Sequence, residues 1–282
     1  MPVDTSEADA RFRQWMRGNL DRAAEHFGVV VTGDPLFGWH DRSISTPVRK
    51  GDTEYWLRVV SEDKQWIDGD FWTGNLDANV LADLAKPRVL DVVEWEEWRQ
   101  QRAELMTRMP GQPCSPTDAL RTEVDLSDEW WAELRRTTNT VAATPTARVN
   151  SSQDKITDRI VQRFGDAVDP TVPEWETVHG DVHWANLLRP RFGLLDWEWW
   201  GRGPAGTDAA TLLCYSLLTP KIAQRVHDVY ADILDTDTDT DTDTGRFAQL
   251  YTIARLSRRI GGGEFPDLAE PLERHARTLL GH

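Results

Sequence analysis

The densest concentration of reactive groups in the sequence lies in TVHGDVHWANLLRPRFGLLDWEWWGRGPAGTDAA, residues 177–210. His179, Asp181, His183 and Asn186 fall within one short stretch, and Asp196 follows at the end of the apolar run FGLL. Three readings suit these groups: a metal-ligand cluster built on the histidines, a phosphoryl-transfer centre built on the oxygens, or a polar turn that satisfies itself. Phosphoryl transfer needs a carboxylate to orient the attacking hydroxyl and accept its proton. It also needs an amide oxygen and a second carboxylate for magnesium, because hard cations take oxygen ligands. A loop carrying Asp181 and Asn186 and an extended run ending in Asp196 can bring all three to one point.

The competing readings ask for residues found elsewhere. A zinc or di-metal hydrolase built on Gly-Asp-x-His also needs a Gly-Asn-His element and further histidines. The other five histidines, His26, His40, His227, His275 and His282, form no ligand-like cluster. A self-satisfied turn accounts for a single Asp or Asn, but not for the whole set with a downstream Asp-Trp-Glu. The order H-x-D-x-x-x-x-N, then Asp, repeats the catalytic-loop and metal-loop logic of protein kinases.

In these residues (His179, Gly180, Asp181, His183, Asn186 and Asp196-Trp197-Glu198) the stretch resembles the aminoglycoside phosphotransferase and choline kinase-like family of small-molecule kinases. Gly180 stands where typical protein kinases have arginine, which favours the small-molecule branch. The resemblance implies an α+β, bilobal, protein kinase-like fold with ATP (or GTP) and Mg2+ as cofactors. It implies Asp181 as the catalytic base, with Asn186 and Asp196 as metal ligands. His179 would brace the loop, His183 would pack in support, and Asp208 would cap a helix and tie down the loop. The acceptor site is expected beside Glu198, Trp199, Trp200 and Arg202. Acidic groups with tryptophan faces suit a cationic, hydroxylated molecule: an aminoglycoside-like or other basic antibiotic, or an amino alcohol or sugar. A kinase-like binding module without catalysis is the alternative, followed by a metal-dependent phosphoesterase.

The nucleotide residues are less plainly marked. The phosphate-covering loop is expected in FGWHDRSIS, with Gly38 its lone glycine and Ser43 and Ser45 as donors. The phosphate-binding cation is expected at Arg58 in YWLRVV. On a strand Arg58 shares a face with Trp56 and Val60, opposite Leu57 and Val59. The family pattern has lysine there, and arginine's planar fork meets phosphate in a different geometry. Asp77 is the expected acidic partner of Arg58, with Asp70 and Asp83 as competitors. The adenine is expected against backbone at 105–109, including Met106, Thr107 and Met109.

The elements that position these groups read as follows. Phe12, Trp15, Met16, Leu20, Ala23 and Phe27 recur at helical spacing, which predicts a helix over 6–27 with Ser6 as N-cap. Short β-like runs follow at VVVTG, SISTPV and YWLRVV, with further strands at 88–95 and 103–108 and a short helix at 76–84. The Gly/Pro/Ser-rich segment 109–117 is the expected boundary between a β-rich N-terminal lobe, 1–110, and a larger helical lobe, 111–282. Helices are expected at 128–142, 153–165, 208–218, 221–234, 245–260 and 267–280, with one extended piece at 187–197. The Asp-Thr repeat at 235–244 reads as a solvated loop without the glycine and distal glutamate of a calcium-binding EF-hand.

Composition narrows the partners. Of 282 residues, 32 are Lys or Arg and 47 Asp or Glu, giving −15, which repels nucleic acid and anionic lipid. The two cysteines, Cys114 and Cys214, suggest a reducing, cytoplasmic setting. No apolar run approaches the roughly 20 residues of a membrane span. The acidic start MPVDTSEADARF does not read as a signal peptide. Fourteen tryptophans are first of all packing material. Nothing in the sequence fixes the oligomeric state.

Overall fold

The computed structural model describes residues 5–235 and 244–281, and the chain divides into two units, each with its own core. One comprises the chain to Val80 together with Pro87–Met109; the other comprises Leu81–Lys86 and Pro110 onward. The first is built on an antiparallel sheet and the second is mainly helical.

In the first unit, helix α1 (Thr5–Phe27) precedes strands β1 (Val30–Val31), β2 (Leu36–Phe37), β3 (Ser43–Lys50) and β4 (Thr53–Glu62). Short helix α2 (Gly74–Asp77) and strands β5 (Val89–Glu96) and β6 (Gln100–Thr107) complete it. The sheet order is β1-β3-β4-β6-β5, with β2 also paired to β3. Alternation decides its two faces. Ile44, Val48, Leu57, Val59, Ala103 and Leu105 pack against Met16, Leu20, Ala23 and Phe27 of α1. The other face carries cross-strand rows set by register: Ser45 opposite Arg58, Arg58 opposite Glu104, and Val60 opposite Arg102.

The second unit contains β7 (Gln112–Pro113), α3 (Asp128–Ala142), α4 (Gln153–Phe164), β8 (Trp175–Val178), β9 (Leu188–Arg189) and β10 (Gly201–Pro204). Helices α5 (Thr207–Ser216), α6 (Pro220–Val229), α7 (Ala231–Leu234), α8 (Thr244–Gly261) and α9 (Ala269–Leu280) follow. β7 pairs with β9, and β8 with β10. Helix α3 starts at the Ser127 cap, whose side chain accepts from the Trp130 N–H. That places Trp130 and Trp131 inward against Trp184 and Phe192.

Several sequence expectations are corrected. The helix expected at 76–84 is the single turn α2 followed by a 3-10 turn, Ala78–Val80, and the chain then passes to the second unit. The piece expected to be extended over 187–197 folds back on itself. Leu187 bridges Leu194, and the Leu188 N–H donates to the Gly193 carbonyl at 2.9 Å. The helix expected at 221–234 is interrupted at Tyr230, and the last helix begins at Ala269 after a 3-10 turn, Pro266–Leu268. Strands β8 and β10, unread in the sequence, flank the reactive stretch. The Asp-Thr repeat between Asp235 and Thr244, and the side chain of Ser6, lie outside the described residues. Among the described residues no helix is long and apolar enough to cross a membrane.

Candidate active site

The loop after β8 is nailed to the core by alternate side chains. Val182 and Trp184 are fully buried, and the Trp184 indole donates to Ser216 Oγ at 3.0 Å. The Trp184 backbone is bound on both sides: its N–H donates to the Asp118 carbonyl and its carbonyl accepts from Ser115. With Val182 and Trp184 turned inward, Asp181, His183 and Asn186 are left to face one another.

The bend at 187–194 then delivers Asp196. Leu195 donates its N–H to the Asn186 carbonyl at 2.9 Å, so Asn186 and Asp196 sit on adjacent paired segments. His179 ties the same two segments. Its Nε2 lies 3.1 Å from the Leu195 carbonyl, and its Nδ1 accepts from the Asp181 N–H at 3.3 Å. That arrangement needs the neutral ring with Nε2 protonated. Burial lowers the His179 pKa to about 4, which keeps the ring in that form. Asp196 itself adopts a left-handed backbone, φ +61°, uncommon outside glycine and tolerated best by Asp and Asn.

Asp208 closes the loop from beneath. Its Oδ2 accepts from the His179 N–H at 2.7 Å and its Oδ1 from the Gly180 N–H at 2.8 Å. It is not the N-cap of α5: that position is Gly206, in the left-handed region, and Asp208 lies in the first turn. Burial pushes its carboxyl up to about 6, with the two N–H donors pulling it back. Gly180 is required here. Its φ is +83°, and a Cβ would lie 2.0 Å from Asn150 Nδ2, which is itself bound to the Trp199 carbonyl.

The Asp181 carboxylate lies 3.3 Å from His183 Nε2. Burial raises its pKa, but His183, Arg255 and His179 more than offset that, and the group ends well below the usual carboxylate range. His183 is pulled the other way. Burial lowers it, and Asp181 with Asp118 and Asp196 raise it to a net upward shift. The His183 imidazole thus supports Asp181 electrostatically. The Asn186 Nδ2 donates to the Asp181 carbonyl at 3.1 Å, which leaves its Oδ1 as the other prong of the amide.

Sequence reading missed the second layer of this site. Arg255 of α8 donates to the Gly180 carbonyl at 3.0 Å. Asp118 stands 3.8 Å from His183 and takes an ion pair from Arg259 at 2.8 Å. Arg259 also binds Glu264 at 2.7 Å and donates to the Tyr215 hydroxyl at 2.6 Å. These residues come from two loops and two helices, and no local spacing marks them.

The expected acceptor residues divide. Trp199 is exposed, whereas Trp200 is 3% exposed with the Arg148 guanidinium over its ring, so Trp200 is packing rather than a substrate wall. Glu198 is buried, and its carbonyl accepts from Arg148. Arg202 lies on β10 with its guanidinium 4.5 Å from the centre of the Trp175 ring.

The residues expected to serve the nucleotide belong to the first unit, apart from Asp83, which belongs to the second. Gly38 closes a tight turn by donating to the Ser43 carbonyl, and a Cβ there would meet Ser43 Oγ at 2.2 Å. The turn's tip is fastened to α1 by Arg13 and Asp41, 2.6 Å apart. Ser43 and Ser45 share the sheet face of Arg58. Glu104, absent from the expected acids, lies 3.7 Å from Arg58. Asp77 accepts from Thr73 Oγ1 at 2.6 Å, and Asp70 opens a 3-10 turn. Met106 pairs with Trp56 on the Arg58 face. Thr107 donates its N–H to the Arg88 carbonyl and so does not offer that donor to an adenine, and Met109 is the last residue of the unit.

Among the described residues no group of three His, Cys, Asp or Glu is placed to hold a metal. The histidines of the motif are engaged with Asp181 and Leu195 instead. No family model matches the chain, and no curated protein does. Solved structures do. An apo crystal structure of a thermostable mutant of aminoglycoside phosphotransferase APH(4)-Ia matches with a TM-score of 0.60 at 18% identity, over 93% of this chain and 98% of that one. The chain has the aminoglycoside phosphotransferase fold. The same enzyme in ternary complex with AMP-PNP and hygromycin B matches with a TM-score of 0.60 at 18% identity, over 93% and 97%. Amicoumacin kinase hAmiN, in complex with AMP-PNP, Ca2+ and Ami, matches with a TM-score of 0.54 at 11% identity, over 94% and 93%.

Proposed function

We propose that this protein is a small-molecule kinase, moving the γ-phosphoryl group of ATP to a hydroxyl of a small, cationic acceptor. The observation that carries this reading is the convergence of Asp181, Asn186 and Asp196 on paired loop segments, locked by His179 and Asp208. Solved structures of the same fold include complexes with a nucleotide analogue and with hygromycin B or Ami.

Asp181 receives the acceptor hydroxyl as a hydrogen-bond donor, turns its oxygen toward the phosphorus and takes its proton as the new P–O bond forms. His183 and Arg255 hold that carboxylate ionised and in place. The fixed loop supplies the orientation, which is most of what phosphoryl transfer asks of a protein. Asn186 Oδ1 and the Asp196 carboxylate are hard oxygen donors that suit Mg2+, and the ion when bound neutralises phosphate charge. Arg58, on the face of the first unit's sheet turned away from α1 and shared with Ser43 and Ser45, is assigned to the nucleotide phosphates.

The excess of acidic residues, 47 Asp or Glu against 32 Lys or Arg, favours a cationic acceptor, drawn in by charge. Aminoglycosides and other basic antibiotics, amino alcohols and amino sugars have that chemistry. The test is incubation with ATP, Mg2+ and a panel of such compounds, with products read by mass spectrometry. A product heavier by one phosphoryl group, formed together with ADP, is expected. ATP binding with no product from a broad panel would move the assignment to a non-catalytic binding module.

A further inference from the structure

The face of the first unit's sheet turned away from α1 carries a buried charge network around Arg58. Glu104, 1% exposed, lies at its centre. Its Oε1 accepts from Arg102 Nε at 3.1 Å, and its Oε2 accepts from Asn75 Nδ2 of α2 at 2.9 Å. Arg58 Nη1 stands 3.7 Å from the same Oε2, at ion-pair distance and beyond a hydrogen bond. Arg102, 4% exposed, reaches on to Glu94 at 2.5 Å, and Glu94 also accepts from the Trp72 indole at 3.1 Å. Arg102 Nη2 is buried without a hydrogen-bond partner among the described residues.

An isolated carboxylate this deeply buried would be too costly to keep charged, so its donors are what permit it. Two of those donors, Arg102 and Asn75, hold its oxygens at hydrogen-bond distance, and the third contact is electrostatic. The register explains why the groups meet. Arg58 and Glu104 are directly opposite on β4 and β6, and Arg102 is two residues from Glu104 on the same face. The neighbouring strand β6 supplies an acid beside Arg58, and α2 contributes an amide that steadies it.

We propose that Arg102 and Asn75 are positioning residues for the nucleotide: they fix Glu104, whose carboxylate sets the Arg58 guanidinium for the phosphates. The inference rests on the kinase reading. A second cation held one layer behind the first divides Glu104 between two partners and fixes where its carboxylate stands beside Arg58.

Calorimetric titration of wild type and Arg102→Met with ATP–Mg2+ and, separately, with adenosine tests this, with thermal melting to verify folding. Adenosine lacks phosphates, so a general loosening of the unit weakens both ligands, whereas misplacement of Arg58 weakens ATP alone. The expected result is ATP affinity reduced about tenfold, the size of one displaced charge-assisted contact, with adenosine affinity kept. Arg102→Lys, which retains the charge beside Glu104, should fall between. Should Arg102→Met not fold, Asn75→Ala carries the same expectation through the other oxygen of Glu104. A folded variant binding both ligands like wild type, or losing both equally, overturns the proposal. Wild-type protein that binds no ATP at all overturns the kinase reading and this inference with it.

Discussion

Replacing Asp208 with asparagine separates loop positioning from fold stability. The side chain keeps its shape and loses one of its two acceptors. In the native protein the His179 and Gly180 N–H groups each have a carboxylate oxygen, at 2.7 and 2.8 Å. Asparagine turns an NH2 toward one of them, so a charge-assisted bond is lost and a buried donor is left unmet, at about 1–3 kcal/mol. Against this, asparagine removes a buried charge. A carboxyl raised from 3.8 to about 6 carries a net penalty of about 3 kcal/mol at neutral pH, the cost of burial less the gain from its two N–H donors. The two effects nearly cancel in global stability, leaving a net change of at most about 2 kcal/mol in either direction and a Tm moved by less than about 8 °C, at about 2–4 °C per kcal/mol. They do not cancel at the loop, where the unmet N–H shifts the backbone next to Asp181. A misplacement of about 1 Å costs about 100-fold in rate. Asp208→Asn should therefore melt close to wild type and lose about 100-fold in kcat, read as ADP formed with any accepted panel compound. Wild-type kcat in a variant that melts normally would refute the claim that this carboxylate positions the loop.

Gly180→Ala combines a left-handed φ of +83° with a Cβ 2.0 Å from Asn150. The conformation alone costs about 1–2 kcal/mol, so both Tm and kcat should fall, and adding Asn150→Ala should recover only the part due to the contact. A Gly180→Ala protein with native Tm and kcat would contradict this. His179→Phe keeps a planar ring but removes both ring contacts, leaving the Leu195 carbonyl and the Asp181 N–H unmet at about 1–3 kcal/mol each. Its kcat should fall while ATP affinity, measured by titration, stays near wild type. Glu176 sets a pH dependence: burial raises its carboxyl from 4.5 to about 7. Between those values the folded chain binds more protons than the unfolded one, so this group's contribution is full at low pH and is lost as pH rises through 7. Glu176→Gln, which keeps an acceptor for the Gly206 N–H, should flatten the fall in Tm between about pH 5 and pH 8. An unchanged slope would remove Glu176 as its source.

Much of the first unit was legible because its periodicities are local. Alternation in YWLRVV is enough to put Leu57 and Val59 under α1 and Arg58 on the other face. Glu104 was illegible for the same reason. In QQRAELMT the alternating Arg and Glu carry no local sign of burial, and α2 with the turn containing Trp72 covers them. The helical spacing of 128–142 and 153–165 named α3 and α4 nearly to the residue. The run FGLL looked like one strand, but with Leu187 and Leu194 bridged it is half of a tight bend. Strands β8 and β10 are four residues each, and Gly-Arg-Gly-Pro carries no β signature, so their pairing is visible only in space. Asp118, Arg255 and Arg259 reach the reactive loop from remote segments, a relation that spacing along one chain does not encode.

The central claim is that Asp181 performs the transfer. Its most direct test compares phosphoryl transfer by wild type and Asp181→Ala under single-turnover conditions, with ATP binding measured on both. The account predicts that the variant binds ATP with near-native affinity and transfers essentially no phosphoryl group to the acceptor. An Asp181→Ala protein that phosphorylates the acceptor at the wild-type rate would contradict it.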